Sequence, residues 1–257
     1  MKQNEHSEIP KLIGVLGGTI TATDADLGET TESPLTPFGH ASAPVQNIDI
    51  GQTNVAFIAR HGVPRAIAPH DINYRANLWT LYKAPVSAII AMYAVGAIEN
   101  DLAVGDIVIP DQIIDYTWDR EGFFNATLGL NHYDFSEPFD PVVRRHLISS
   151  AQETGNSISN TGTYACTQGP RLETSAEIDR FGRDGCNLVG MTAMPEAALA
   201  RELNIPFGGI CLIVNAAAGR GDGPIQHHEI NLAIEHNSGT LLNIVGRAAR
   251  GLQDIPY

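Results

Sequence analysis

Cysteine is scarce in this chain, with three in 257 residues, Cys166, Cys186 and Cys211. They are far apart, each lies in an apolar or Gly-rich strand context, and none stands at metal-ligand spacing. That excludes a disulfide framework and a cysteine metal site, and it reads the three as buried free thiols of a reducing compartment. Basic residues are few as well: 16 Lys and Arg against 29 Asp and Glu give a formal charge of −13. Phosphate-backbone binding needs an excess of cations, so a nucleic-acid partner is not expected, although a small anion can still be held in a local cationic pocket. No apolar run approaches the roughly 20 residues that span a bilayer. The opening MKQNEHSEIP has neither the basic nor the apolar part of a secretory leader, so a cytoplasmic protein off the membrane is expected. No Pro- or Gly-rich linker divides the chain, and residues 1–257 read as one domain with a polar tail over 1–10.

Apolar strands alternate with helices, which is the pattern of an α/β domain. The densest stretch is Gly185 to Gly219, GCNLVGMTAMPEAALARELNIPFGGICLIVNAAAG. It contains a short strand at Leu188 and Val189, a helix, and a second strand over Gly208 to Val214. Met191 and Thr192 stand where the first strand gives way to the helix, Pro195 suits a first helical turn, and Asn215 ends the second strand. Free N–H groups at a helix start attract anions.

Earlier, Leu12 to Leu16 is a strand that runs into Gly17, Gly18 and Thr19. Glycines there serve either a plain turn or a close backbone approach to a ligand. Residues 21–53 read as irregular connection with short strands. Asn54 to Ala59 is a strand that delivers Arg60 and His61, which on residue type alone make either a surface pair or a phosphate fork. Helical character covers Asn73 to Lys83. Val86 to Ala94 is a buried parallel strand ending in Tyr93, Ala94, Val95 and Gly96. Gly105 to Ile114 reads as one strand entering a loop, and the aromatic segment YTWDREGFF reads as core or subunit packing. Asp140 and Pro141 open a helix running to Thr154. Gly162 to Thr167 is a strand, Thr174 or Ser175 caps a helix to about Arg183, and an amphipathic helix begins after Ile225.

The words VGMTAMPEAALARE and VNAAAG, RHGVPRAIAPHDINYRANLW, TPFG, GPRLET and NHYDFSEPFDP occur in an order that resembles the purine nucleoside phosphorylase and methylthioadenosine phosphorylase family. Within it the wording is most similar to the bacterial S-methyl-5'-thioinosine phosphorylases. The resemblance covers nearly the whole chain. It implies a single-domain phosphorylase/nucleosidase-type α/β fold, a central mixed sheet flanked by helices, and a homotrimer or hexamer with sites near subunit interfaces. It also implies phosphate as co-substrate, with no metal and no organic cofactor.

Carried over residue by residue, the resemblance implies that Thr19, Arg60, His61, Tyr93, Ala94 and Thr192 bind phosphate. Glu173 and Asn215 would act on the base, with Leu172 and Ala217 beside it and Met191 under the ribose. His132 would reach the 5' end of a nucleoside in a neighbouring subunit. Two positions depart from the family. Ile20 stands where another glycine is usual, and Tyr93 replaces a Thr or Asn; the phenol could bond phosphate or sugar, turn into the core, or partly fill the phosphate site. An ionised Glu173 only accepts, so it suits the N1–H of a 6-oxopurine, and Asn215 can donate to O6 and accept from N7–H. His227 pulls toward a 5'-hydroxyl substrate, or else merely caps the last helix. Phosphorolysis of S-methyl-5'-thioinosine is therefore the first expectation and of inosine or guanosine the second. A water-using nucleosidase and a non-catalytic nucleoside-binding protein remain as alternatives.

Overall fold

The computed structural model describes residues 12–20, 33–124, 129, 131–155, 158–253 and 255. The polar tail and residues 21–32 of the expected connection lie outside the described residues. A ten-stranded mixed sheet is built around β6 (Val86–Ala97), and β1 (Leu12–Gly17), β5 (Thr53–Ala59) and β12 (Phe207–Ala216) complete its parallel centre. These strands are almost continuous apolar runs because both faces are covered, as parallel sheets require. β4 (Gln46–Ile50) closes one side as an antiparallel neighbour of β5. On the other side β11 (Leu188–Gly190), β10 (Thr163–Cys166) and β8 (Gln112–Asp115) run parallel to one another, and β11 meets β6 antiparallel. The small β7 (Ile107–Val108) and β9 (Ile158–Ser159) extend the sheet beyond β12, while β2 (Leu35–Thr36) and β3 (Gly39–His40) form a separate ribbon.

The helices start where their capping residues put them. Asn73 caps α1 (Tyr74–Lys83), Asp140 accepts from the Val142 and Val143 N–H groups at α2 (Pro141–Gln152), and Thr174 forms a capping box with Glu177 at α3 (Ser175–Arg183). α4 (Ala193–Glu202) packs against α1, and α5 (His227–Gln253) against α2 and β12. No helix among the described residues is long and apolar enough to cross a membrane.

The structure differs from the sequence reading in two local ways. The expected strand over Gly105 to Ile114 is two, β7 and β8, paired to different neighbours and separated at Pro110, which has no N–H to continue a ladder. The start of α4 is also less regular than its sequence suggests. Met194 has φ −107° and ψ 137°, so regular helix begins only beyond it.

One topological detail positions the site. β12 pairs with β6 from Ile89 to Ala97, whereas the opposite edge of β6 is shared by two strands. β1 leaves that edge at Ala91, and β11, running the other way, meets it at Gly96 and Ala97. The two strands point at each other, and their ends open onto Met92 to Val95. Four residues of strand edge thus face loop ends instead of a strand.

Candidate active site

A cavity of about 400 Å³ fills this gap. Thr19 comes to it from the end of β1, Arg60 and His61 from the end of β5, and Tyr93 and Ala94 from the open edge of β6. Met191 and Thr192 come from the end of β11, Asn215 and Ala217 from the end of β12, and Leu172 and Glu173 from the loop beyond β10. Every residue assigned from the sequence therefore lines one cavity, except two. His132 and His227 are exposed and do not line it. On α5 the side chain that does is Ile230, one helical turn beyond His227. Sequence reading missed Ile230; the signal was the helical period, by which residues three apart share a face, so the partly buried Ile230 stands one turn further along the side that His227 begins in solvent.

Arg60 is not a surface residue: it is 1% exposed. Its Nε and Nη2 donate to the two carboxylate oxygens of Glu196 at 2.7 and 3.0 Å, Nη2 also to Leu16 O at 3.2 Å, and Nη1 to Met92 O at 2.8 Å. A guanidinium has five N–H donors, so one on Nη1 has no partner among the described residues. Gly18 makes room for it, since a Cβ there would stand 2.5 Å from Nη1. Glu196 is fully buried and was not singled out from the sequence, where it reads as an ordinary residue of the helix. Burial pushes its carboxyl up, and the Arg60 guanidinium and the Tyr93 phenol pull it back. The two-point contact is that of an ion pair.

Tyr93 completes this buried group. Its hydroxyl donates to Glu196 Oε2 at 2.9 Å, and the Arg60 guanidinium lies 5.0 Å from its ring centroid. Of the three roles open to Tyr93, the hydroxyl takes the one directed into the core. Ile20 is likewise a core residue, 1% exposed. Glu196 balances the charge of Arg60, and neutral donors also face the gap. Residues two apart on a strand share an edge, so Ala94 presents its N–H on the side where Met92 O meets Arg60. Thr192 sits at the N-cap of α4, yet its hydroxyl makes no capping bond and is left for a ligand.

At His61, burial and the neighbouring Arg60 lower the imidazole pKa to about 4. Its Nδ1 is 2.8 Å from Ile67 O, and in the neutral ring Nδ1–H donates there and Nε2 keeps its lone pair. His61 thus offers the cavity an acceptor and not a donor. The lowered pKa has a stability consequence. Below pH 6.5 the unfolded chain binds this proton and the folded chain does not, so stability falls as pH drops from 6.5 toward 4. Between pH 7 and 5 this group should cost about 2 kcal/mol. Urea unfolding of wild type and His61→Asn across that range checks it: the stability of wild type relative to the variant should fall by that amount as pH drops from 7 to 5, and a constant difference would contradict it.

At the other end of the cavity Glu173 accepts from Thr167 Oγ1 at 2.6 Å. Glu173 is therefore neither a helix cap nor simply solvated; Thr174 caps α3 in its place. One carboxylate oxygen is held by Thr167 and the second remains for a ligand. Asn215 Nδ2 donates to Ala216 O at 2.7 Å, which sets the amide plane and leaves one N–H and Oδ1 free. The three cysteines are buried and free, with Cys166 Sγ accepting from the Met194 N–H at 3.2 Å.

Strand ends at the open edge of the sheet thus gather a guanidinium, hydroxyls and a carboxylate–amide pair around one cavity, and comparison with known proteins gives the class, that of the pentosyl-transferring phosphorylases. Residues 13–250 match the Phosphorylase superfamily, and the chain belongs to it. A probable S-methyl-5'-thioinosine phosphorylase of Pseudomonas syringae pv. tomato is 42% identical over 236 residues, 91% of this chain and 96% of that one. The 6-oxopurine nucleoside phosphorylase of Pyrococcus furiosus is 38% identical over 240 residues, 91% of this chain and 90% of that one. Among solved structures, a methylthioadenosine phosphorylase from Schistosoma mansoni in complex with adenine shares the fold, with a TM-score of 0.87 at 24% identity over 96% of this chain and 93% of that one.

Proposed function

We propose that this chain is a purine nucleoside phosphorylase that converts S-methyl-5'-thioinosine and phosphate to hypoxanthine and S-methyl-5-thioribose 1-phosphate. The observation that carries the choice of substrate is the composition of the cavity at α5, where Ile230 lines it and His227 does not. An apolar side chain suits a methylthio group and gives a 5'-hydroxyl no partner, whose desolvation would then cost free energy. The names of the bacterial relatives support the same reading.

Chemistry follows from the donor inventory. A phosphate oxygen attacks C1', the bond from C1' to N9 breaks, and the electron pair goes to the purine. The protein's share is to align phosphate and to stabilise charge on the departing base. Glu173, with one oxygen fixed by Thr167, accepts from N1–H. Asn215 donates its free N–H to O6 and accepts at Oδ1 from N7–H, that proton being taken from solvent water as the base leaves with the bonding electron pair. No side chain need act as a covalent nucleophile, and neither a metal nor an organic cofactor enters. His132 completes the site from a neighbouring subunit in a homotrimer or a larger assembly. The free buried thiols and acidic composition fit a cytoplasmic enzyme.

Release of hypoxanthine from S-methyl-5'-thioinosine and from inosine, each with and without phosphate, tests the proposal. Phosphate-dependent release with a higher kcat/KM for the methylthio substrate is expected. Equal or better use of inosine would overturn the substrate, and release without phosphate would overturn the reaction. In Ile230→His the ratio of kcat/KM for inosine over methylthioinosine should rise by about tenfold, the scale of one hydrogen bond or methyl-sized contact.

A further inference from the structure

One side chain beside the cavity is as densely hydrogen-bonded as Arg60 and yet does not line it. Arg120 belongs to the aromatic segment after β8. Its Nη1 donates to Met191 O at 2.7 Å and also to Met194 O, while Nη2 donates to Gln168 O at 3.0 Å and reaches Thr167 O at 3.4 Å. These four carbonyls come from two separate loop ends. Thr167 and Gln168 lead from β10 into the loop of Leu172 and Glu173, and Thr167 itself holds the Glu173 carboxylate. Met191 and Met194 bracket Thr192 at the irregular start of α4, where Met194 lies outside helical geometry and its N–H goes to Cys166 Sγ. The guanidinium also stands 5.1 Å from the ring centroid of Tyr74, whose hydroxyl donates to Pro69 O at 2.8 Å, and Pro69 lines the cavity.

We propose that Arg120 is a positioning residue for phosphorolysis, fixing the separation of the base-reading loop and the ribose- and phosphate-binding turn from outside the cavity. Converging carbonyl dipoles repel one another, and at loop ends beyond the sheet no ladder satisfies them. A planar, permanently charged fork placed between them satisfies several at once and holds both loops at one spacing, which a single ammonium cannot do. The reaction needs base and phosphate aligned across the sugar to within a fraction of an ångström, so the spacing of the two loops acts on kcat more than on the binding of either substrate.

The proposal rests on reading the cavity as a phosphorolysis site, and the experiment separates the two. Wild-type turnover is measured first; if hypoxanthine release does not depend on phosphate, the functional reading fails whatever Arg120 does. Arg120→Lys, which keeps the charge, is then compared with wild type. The expected result is a fold and thermal midpoint close to wild type, kcat at least about tenfold lower, and KM values for nucleoside and phosphate changed less than kcat. Hydrogen exchange should quicken at the amides of both 167–173 and 191–195. In Arg120→Ala, guanidinium ion at millimolar concentration should restore part of kcat, where sodium chloride or urea at equal concentration does not. Wild-type kcat in Arg120→Lys would overturn the proposal. So would faster exchange in one loop only, or an Arg120→Lys chain that does not fold, which would make Arg120 a requirement for folding instead.

Discussion

Glu196→Ala is expected to lower the stability of this protein by about 3–5 kcal/mol, the usual cost of removing one partner from a buried ion pair. Arg60 would be left charged, 1% exposed, and hydrogen-bonded only to the Met92 and Leu16 carbonyls. At a few degrees per kcal/mol for a chain of this size, the thermal midpoint should fall by roughly 6–20 °C. Calorimetry measures this directly. Arg60→Ala should cost a similar amount for the mirror reason, since it strands a buried carboxylate that keeps only the Tyr93 phenol. The double variant should be less destabilised than the sum of the singles, because neither charge is then left alone. Strict additivity with small single effects would show that the pair contributes little.

The same geometry limits what Arg60→Ala can say about phosphate. Loss of turnover in that variant follows equally from a lost phosphate ligand and from a disturbed core. A cleaner probe is Glu196→Gln, which keeps the size of the side chain and removes the charge that offsets Arg60. The guanidinium then faces the cavity uncompensated, and the KM for phosphate should fall if Arg60 feels the anion. An unchanged KM in a folded Glu196→Gln variant would place phosphate away from Arg60.

Asn215→Asp should reduce turnover of 6-oxopurine nucleosides by about 100-fold or more, the range seen when a donor to developing charge is removed. Asn215 donates to Ala216 O at 2.7 Å, and an ionised aspartate in its place would set oxygen against oxygen there. It must turn away or hold a proton, and in either case the donor to O6 is lost from its set orientation. An adenine nucleoside, which presents a 6-amino donor, should be disfavoured less or even gain. Initial rates with methylthioinosine and methylthioadenosine across pH 5–8 check both halves. If the ratio of the two substrates does not move, another residue reads position 6.

Most of the cavity lining was legible through the resemblance to the phosphorylase family, and its residues lie close to strand ends. Thr19, Arg60, His61, Thr192 and Asn215 each stand within a few residues of a strand's last apolar position, and period-two and apolar-run patterns locate such ends well. Two helix starts were legible from local signals, through Asp140 and Thr174, whereas Asn73 read as part of the helix that it caps. Glu196 and Arg120 were not. Glu196 is 136 positions from Arg60 and 103 from Tyr93, and no local pattern pairs residues at such distances. Arg120 bonds only to backbone carbonyls, which carry no side-chain signature at all.

Taken alone, the sequence determined the class of fold, through its alternation of apolar strands and helices, while its resemblance to the phosphorylase family named most of the residues that line the cavity. Tertiary structure alone decided which way those residues face. It turned the Tyr93 hydroxyl into a buried pair with Glu196, gave His61 an acceptor by pinning its other nitrogen to Ile67 O, and brought Ile230 to the cavity in place of His227. The physical reason lies in β6, whose one edge is shared by two opposed strands. The gap between them exists only once the sheet is assembled, and the loop ends that carry the lining residues meet only there.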